Sequence, residues 1–281
     1  MVLDGEDPHR DRSPVRLAIS PERLRRALLL AASLVTLLGI AGELGRNFAG
    51  DDDRPLPRLL RTIRRTFNPS GEQTAGAWLT AAVLLLCGLL LLTIAAARRA
   101  RGAPFVAHWR LLGAIFLFLS ADEAIALHEQ LGDWLRARLE TGGPFLWAWV
   151  IPYGAATVAL AVAYLPWLRD LPAGTRRRVL VAGALMVGGA LGLEMIQAAI
   201  VDGQGRGGGP VSVLAVVEEG AELLGAILLL DALLIQLARH DAVELSIAVP
   251  QPVSDAVQPE PCSLEPERPP LVAAAASEPT P

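Results

Sequence analysis

The sequence predicts an all-α membrane protein: a bundle of about six transmembrane helices with a short interfacial helix and a disordered C-terminal tail. Apolar residues make up 52% of the 281 residues, and the mean hydropathy is +0.41. Apolar runs of roughly 20 residues, the length that a helix needs to cross a bilayer, recur along the chain. A soluble core does not need such runs, so a soluble globular class is excluded.

The chain divides into three parts by composition. Residues 1–23 form a polar leader, and residues 24–240 hold the transmembrane domain. Residues 241–281 are rich in Pro, Ala and Glu and predict a disordered tail. The six predicted spans cover residues 24–44, 74–97, 109–129, 145–167, 179–201 and 211–238.

The first two spans flank a basic connector. The run at 24–44 is either a retained anchor or a signal peptide, and the long acidic-containing leader without a clear cleavage site favours the anchor. Between residues 56 and 67, apolar residues share one helical face and Arg residues the other, which predicts an interfacial helix. The span at 74–97 is uniformly apolar and ends in a basic cluster.

Aromatic and small residues mark the later spans. Trp147, Trp149 and Trp167 in the fourth span suit membrane–water interfaces, and Pro152 predicts a kink near its start. Four Gly residues in the fifth span favour close helix packing. The sixth span carries a run of Glu residues.

The Arg distribution predicts that both termini are cytoplasmic. Six spans place both termini on one side. The flanks and short loops on that side carry 15 Arg, against nine in the other three loops. Cytoplasmic loops carry the excess of basic residues, so we expect a bacterial inner-membrane protein with cytoplasmic termini. Expected partners are the lipid bilayer and a partner subunit or a second copy of the chain, with no nucleic acid.

The residue inventory excludes several chemistries. All 25 basic residues are Arg, so a P-loop and a Schiff-base lysine are both excluded. Cys87 lies in an apolar run and Cys262 in the tail, so no disulfide between them is expected.

Acidic residues within the spans form the candidate functional site. With a rise of about 1.5 Å per residue, acids of the third, fifth and sixth spans fall at similar depth in the outer half of a core of about 30 Å. Gln197 follows Glu194 by one turn and could line the same site. The candidate ligands for a cation or proton are Asp122, Glu123, His128, Glu129, Glu194, Glu218, Glu219 and Glu222.

Placing these acidic residues inside the bilayer costs free energy. A carboxylate at the bilayer centre costs about 2.5–3.5 kcal/mol on insertion scales. Several together require protonation, bound cations or a hydrated cavity. Glu123 and His128 point away from the face shared by Asp122 and Glu129, so either one of them faces a connector or the helix changes course near Gly132.

The motifs resemble a group of uncharacterised bacterial multi-span proteins. Ser120, Asp122, Glu123, His128 and Glu129 form an S-x-D-E-x4-H-E string, and Glu218, Glu219 and Glu222 open an E-E-x-x-E-L-L-G string. The resemblance covers roughly residues 74–238 and implies a polytopic membrane fold without a known activity. CPBP intramembrane proteases need an Arg where Leu223 stands, and CREST-type hydrolases need three site His residues, so neither family fits.

Three functions stay open at this point. The first is binding or conduction of cations or protons by the carboxylates. The second is a membrane enzyme that depends on a divalent metal ion held by carboxylates and His128. The third is a non-catalytic partner protein whose acids pair with Arg of another subunit.

Overall fold

The structure is a computed structural model that describes residues 20–49, 62–63, 65–68, 71, 74–204 and 209–239. Every regular element in these ranges is helical. The predicted disordered tail and most of the predicted leader lie outside the described residues. The predicted interfacial helix also lies largely outside them, although residues 62–63 and 65–66 are helical.

Nine α-helices make up the described fold, with a 3-10 turn at Gly143–Phe145 and a π-helical segment at Gly188–Leu193. The helices are α1 (Pro21–Ala49), α2 (Ala75–Ala100), α3 (Val106–Ile125), α4 (Leu127–Leu139), α5 (Val150–Ala163), α6 (Leu165–Asp170), α7 (Ala173–Val187), α8 (Glu194–Gln204) and α9 (Gly209–Arg239).

Four of the described helical runs are long and apolar enough to cross a membrane. They lie in α1, in α2, in α7 continued through the π-helical segment into α8, and in α9. The pair α3 and α4 would make a fifth crossing if the two helices form one bent span. The predicted all-helical fold with several membrane-compatible helices is thus confirmed.

The third and fourth predicted spans differ from a straight helix. The third is broken at Ala126, where α3 and α4 meet at a bend of 77°. The break lies six residues before Gly132, near which the sequence predicts a change of helix course as one of two alternatives. The fourth is represented by α5 with 14 residues, which at about 1.5 Å per residue is too short for a core of about 30 Å.

Proline placement explains the broken fourth span. Pro152 lies in the first turn of α5, where its missing N–H is not needed, so the predicted kink does not occur there. Pro166 opens α6 instead, and the helix breaks at Tyr164. A proline restricts the residue before it, here Leu165, and cannot donate to the preceding turn.

Helix α9 occupies the centre of the bundle and packs against α1, α2 and α7. Gly225 permits its close approach to α7, because a Cβ there would lie 2.8 Å from the Ala182 carbonyl oxygen and 2.6 Å from Met186 Cγ. The largest fully buried side chains include Trp109, Leu91 and Ile227. The core therefore lies around the central parts of α2, α3 and α9.

Two of the tryptophans predicted for interfacial belts are buried instead. Trp149 and Trp167 have 8% and 2% of their surface exposed. Trp167 packs edge-on against Trp109, with ring centroids 5.0 Å apart. Both residues are packing residues: Trp167 belongs to the hydrophobic core, and Trp149 packs against His128 and Tyr153.

The start of α1 lies beside the last part of α9. An Arg25 guanidinium nitrogen approaches Asp231 Oδ2 at 3.3 Å. This contact joins the first and last described helices at one end of the bundle.

Candidate functional site

Asp122 holds the bend between α3 and α4. Ala126 adopts a left-handed conformation with φ 53°, and the chain re-enters a helix at Leu127. The His128 backbone N–H donates to Asp122 Oδ1 at 2.7 Å. The first N–H groups of a helix lack partners within it and attract negative charge, so Asp122 supplies α4 with an acceptor from across the bend.

Two side chains complete the contacts of the Asp122 carboxylate. The Tyr153 hydroxyl of α5 donates to Oδ2 at 3.0 Å, and His128 Nδ1 lies 3.3 Å from Oδ1. Asp122 is 4% exposed. This buried carboxylate therefore has its cost offset by three partners, and it ties α3, α4 and α5 together.

Trp149 packs against two aromatic side chains of this group. Its ring centroid lies 4.8 Å from that of His128 and 5.3 Å from that of Tyr153. Gly132 of α4 lies against the same indole, because a Cβ there would be 3.2 Å from Trp149 Cδ1. The absence of a side chain at Gly132 thus lets α4 pack on Trp149.

Glu194 and Glu218 form a neighbouring carboxyl pair. Their carboxyl groups lie close enough to interact electrostatically, and the Trp149 side chain lies near Glu194. The Gln197 amide donates to Glu218 Oε2. Two ionised carboxylates this close to each other repel, and a proton on one of them removes that repulsion.

A π-helical segment positions the pair. Glu194 is the first residue of α8, directly after Gly188–Leu193. Gly189 in this segment packs against α9, since a Cβ there would lie 3.2 Å from the Glu218 carbonyl oxygen and 2.8 Å from Glu222 Cγ. Such segments are frequent at functional sites, and this one brings α8 close to the Glu residues of α9.

The structure brings together four of the eight candidate residues: Asp122 contacts His128, and both His128 and Glu218 lie near Glu194. Glu222 and Glu129 lie close enough to Glu218 and Glu194, respectively, to interact electrostatically, although Glu129 is exposed. Glu123 is half-buried on α3. Glu219 faces α2, with its carboxylate near Gly76, and belongs to a different environment.

The described residues contain no group of three or more His, Cys, Asp or Glu side chains placed to hold a metal ion. Two of the carboxylates instead have hydrogen-bond partners in the protein: Asp122 on α4 and α5, and Glu218 on α8. The arrangement is that of a hydrogen-bonded polar network inside an apolar bundle.

Sequence reasoning missed Trp149 and Tyr153 as site residues. They are four apart and so share a helical face, a spacing that could have indicated a common contact. It also missed Asp202, whose Oδ2 accepts from the Gly143 backbone N–H at 2.8 Å and fixes the 3-10 turn. Gln197, considered as a lining residue, does contact Glu218.

Comparison with known proteins gives a family. Searches of curated proteins and of solved structures gave no match. A family model described as "Domain of unknown function (DUF8692)" matches residues 27–237, which spans α1 to α9 and every residue of the site. This agrees with the expected resemblance to an uncharacterised family. The chain therefore belongs to the family described as Domain of unknown function (DUF8692).

Proposed function

We propose that this chain is a multi-pass membrane protein that binds a proton at the Glu194–Glu218 pair and exchanges it during function. The observation that carries the proposal is the proximity of the Glu194 and Glu218 carboxyl groups inside the bundle, with the Gln197 amide donating to Glu218. In an apolar bundle, sharing one proton removes one of two charges that would otherwise repel each other.

The membrane setting supports this assignment. Four to five helical runs are long and apolar enough to cross a bilayer, and an excess of Arg on one side favours cytoplasmic termini. In that orientation the pair lies in the outer half of a bacterial inner membrane. A titratable pair at this depth is typical of proteins that move protons or cations.

Infrared spectroscopy tests proton binding directly. The C=O stretch of a protonated carboxyl group would be recorded for the purified protein across a pH series. We expect a titrating carboxyl band in the wild type that is lost in Glu194→Gln and in Glu218→Gln. Asp133→Asn, an exposed change on α4, should keep the band. A band that persists unchanged in both Gln variants would refute the assignment.

A measurement of proton flux tests whether the protein moves protons through the Glu194–Glu218 pair. Vesicles containing the protein and a pH-sensitive dye would be driven by a potassium diffusion potential. We expect flux in the wild type and in Asp133→Asn, and the level of empty vesicles in Glu194→Gln and Glu218→Gln. Equal flux in all four proteins would show that the pair carries no proton current.

Metal analysis of the purified protein tests the alternative function, a metal-dependent membrane enzyme. A transition metal at one ion per chain, lost in both Asp122→Ala and Glu219→Ala, would favour that alternative. We expect no such metal, because the carboxylates near Trp149 contact protein groups.

A further inference from the structure

A small cavity lies between α1, α2, α9 and the connector residues Phe67 and Asn68, apart from the carboxyl pair. Its volume is about 20 Å³, which is room for one water-sized particle, since about 10–15 Å³ suffices. Four of its lining residues carry side-chain oxygen atoms: Thr36, Asn68, Thr74 and Glu219. The cavity therefore combines one carboxylate with neutral oxygen donors.

Gly76 brings two of these oxygens to one place. A Cβ on Gly76 would lie 3.2 Å from Glu219 Oε2 and 3.6 Å from Thr74 Oγ1. Both atoms are thus within 3.6 Å of a single point at the start of α2. Thr74 Oγ1 accepts from the Ala77 backbone N–H at 3.3 Å and keeps a second lone pair for another partner.

Helix geometry separates this cavity from the pair. Adjacent residues on a helix point about 100° apart. Glu218 therefore faces α8 and Glu194, whereas Glu219 faces α1 and α2. Glu218 and Glu219 therefore face different neighbouring helices.

We propose that the Glu219 cavity binds one sodium ion. A single carboxylate with hydroxyl and amide oxygens matches a monovalent hard cation, whereas Ca²⁺ takes six to eight oxygen ligands. The small volume favours an ion of the size of Na⁺ over a larger one. This inference does not depend on the proton assignment, because it uses a different glutamate.

Thermal unfolding of the full-length protein in detergent tests whether sodium binds. Unfolding would be followed in sodium chloride and in choline chloride at equal ionic strength. Binding to the folded state alone stabilises it, so we expect the unfolding midpoint of the wild type to rise by about 3–5 °C at a sodium concentration well above the dissociation constant. Identical midpoints in the two salts would overturn the proposal.

Substitutions on α2 and α9 test whether the sodium ion binds in the Glu219 cavity. Glu219→Gln should abolish the response to sodium, and Glu218→Gln, on the same helix, should keep it. Gly76→Ala retains the carboxylate but narrows the cavity, so it should weaken the response even if Glu219→Gln does not fold. A response lost in Glu218→Gln but kept in both Glu219→Gln and Gly76→Ala would place the ion elsewhere and overturn the proposal. Loss of proton flux in Glu218→Gln alongside an intact sodium response would show that the two sites fail separately.

Discussion

Asp122 and His128 are joined across a helix break: the His128 backbone N–H donates to Asp122 Oδ1 at 2.7 Å, and the His128 ring contacts the same oxygen. The two residues lie on different helices that meet at 77°. The Asp122 carboxylate, which the sequence predicts at membrane depth, is thus also the hydrogen-bond acceptor at the start of α4. Its contacts with His128 therefore both support the bend and hold Asp122 near the carboxyl pair.

Asp122→Ala should lower the free energy of unfolding by about 1–3 kcal/mol, because it leaves the Tyr153 hydroxyl and the His128 N–H without their acceptor. Thermal unfolding in detergent measures the change. Asp133→Asn, exposed on α4, is the matched control and should stay within about 0.5 kcal/mol of the wild type. Equal stability of the two variants would mean that Asp122 does not support the bend.

Tyr153→Phe removes the hydroxyl while keeping the ring that contacts Trp149. We expect a loss of about 0.5–1.5 kcal/mol. A double-mutant cycle with Asp122→Ala should show a coupling of at least about 0.5 kcal/mol, since both changes break one hydrogen bond. Additive effects would argue against that hydrogen bond.

The ion pair of Arg25 with Asp231 should respond asymmetrically to substitution. Asp231 is buried, whereas the Arg25 side chain is 38% exposed. Arg25→Met leaves a buried carboxylate without its cation, so we expect a loss of about 1–3 kcal/mol. Asp231→Asn leaves an Arg that can reach polar surroundings and should cost less. Thermal unfolding of the two variants measures both losses of stability. A larger loss in Asp231→Asn than in Arg25→Met would contradict the geometry.

Glycine contacts between α7 and α9 give a matched pair of substitutions. Gly225→Ala places a Cβ against the Ala182 carbonyl oxygen and Met186, and should destabilise the protein by about 1–3 kcal/mol. Gly183→Ala on α7 meets nothing within 4 Å and should be neutral or stabilising by up to about 1 kcal/mol, because Ala favours the helix. Similar unfolding midpoints for both variants would show that α7 and α9 are not in close contact.

Much of the fold follows from periodicity and apolar length. Apolar runs predicted the helices, and α1, α2, α7 to α8 and α9 lie where four of the six spans were expected. The remaining two spans failed as straight helices for local reasons. One is a left-handed residue at Ala126 that a hydropathy pattern does not reveal, and the other is a proline at 166.

The sequence by itself determined that this is a helical chain with membrane-compatible helices and that its acids recur on three of the predicted spans. Only the tertiary structure decided which acids meet: Asp122 with His128, Glu194 with Glu218, and Glu219 with α2. The physical reason is that helical spacing sets the direction of a side chain about its own axis. The helix that it faces depends on packing, which is set here by the bend at Ala126 and by the glycines that let the helices approach.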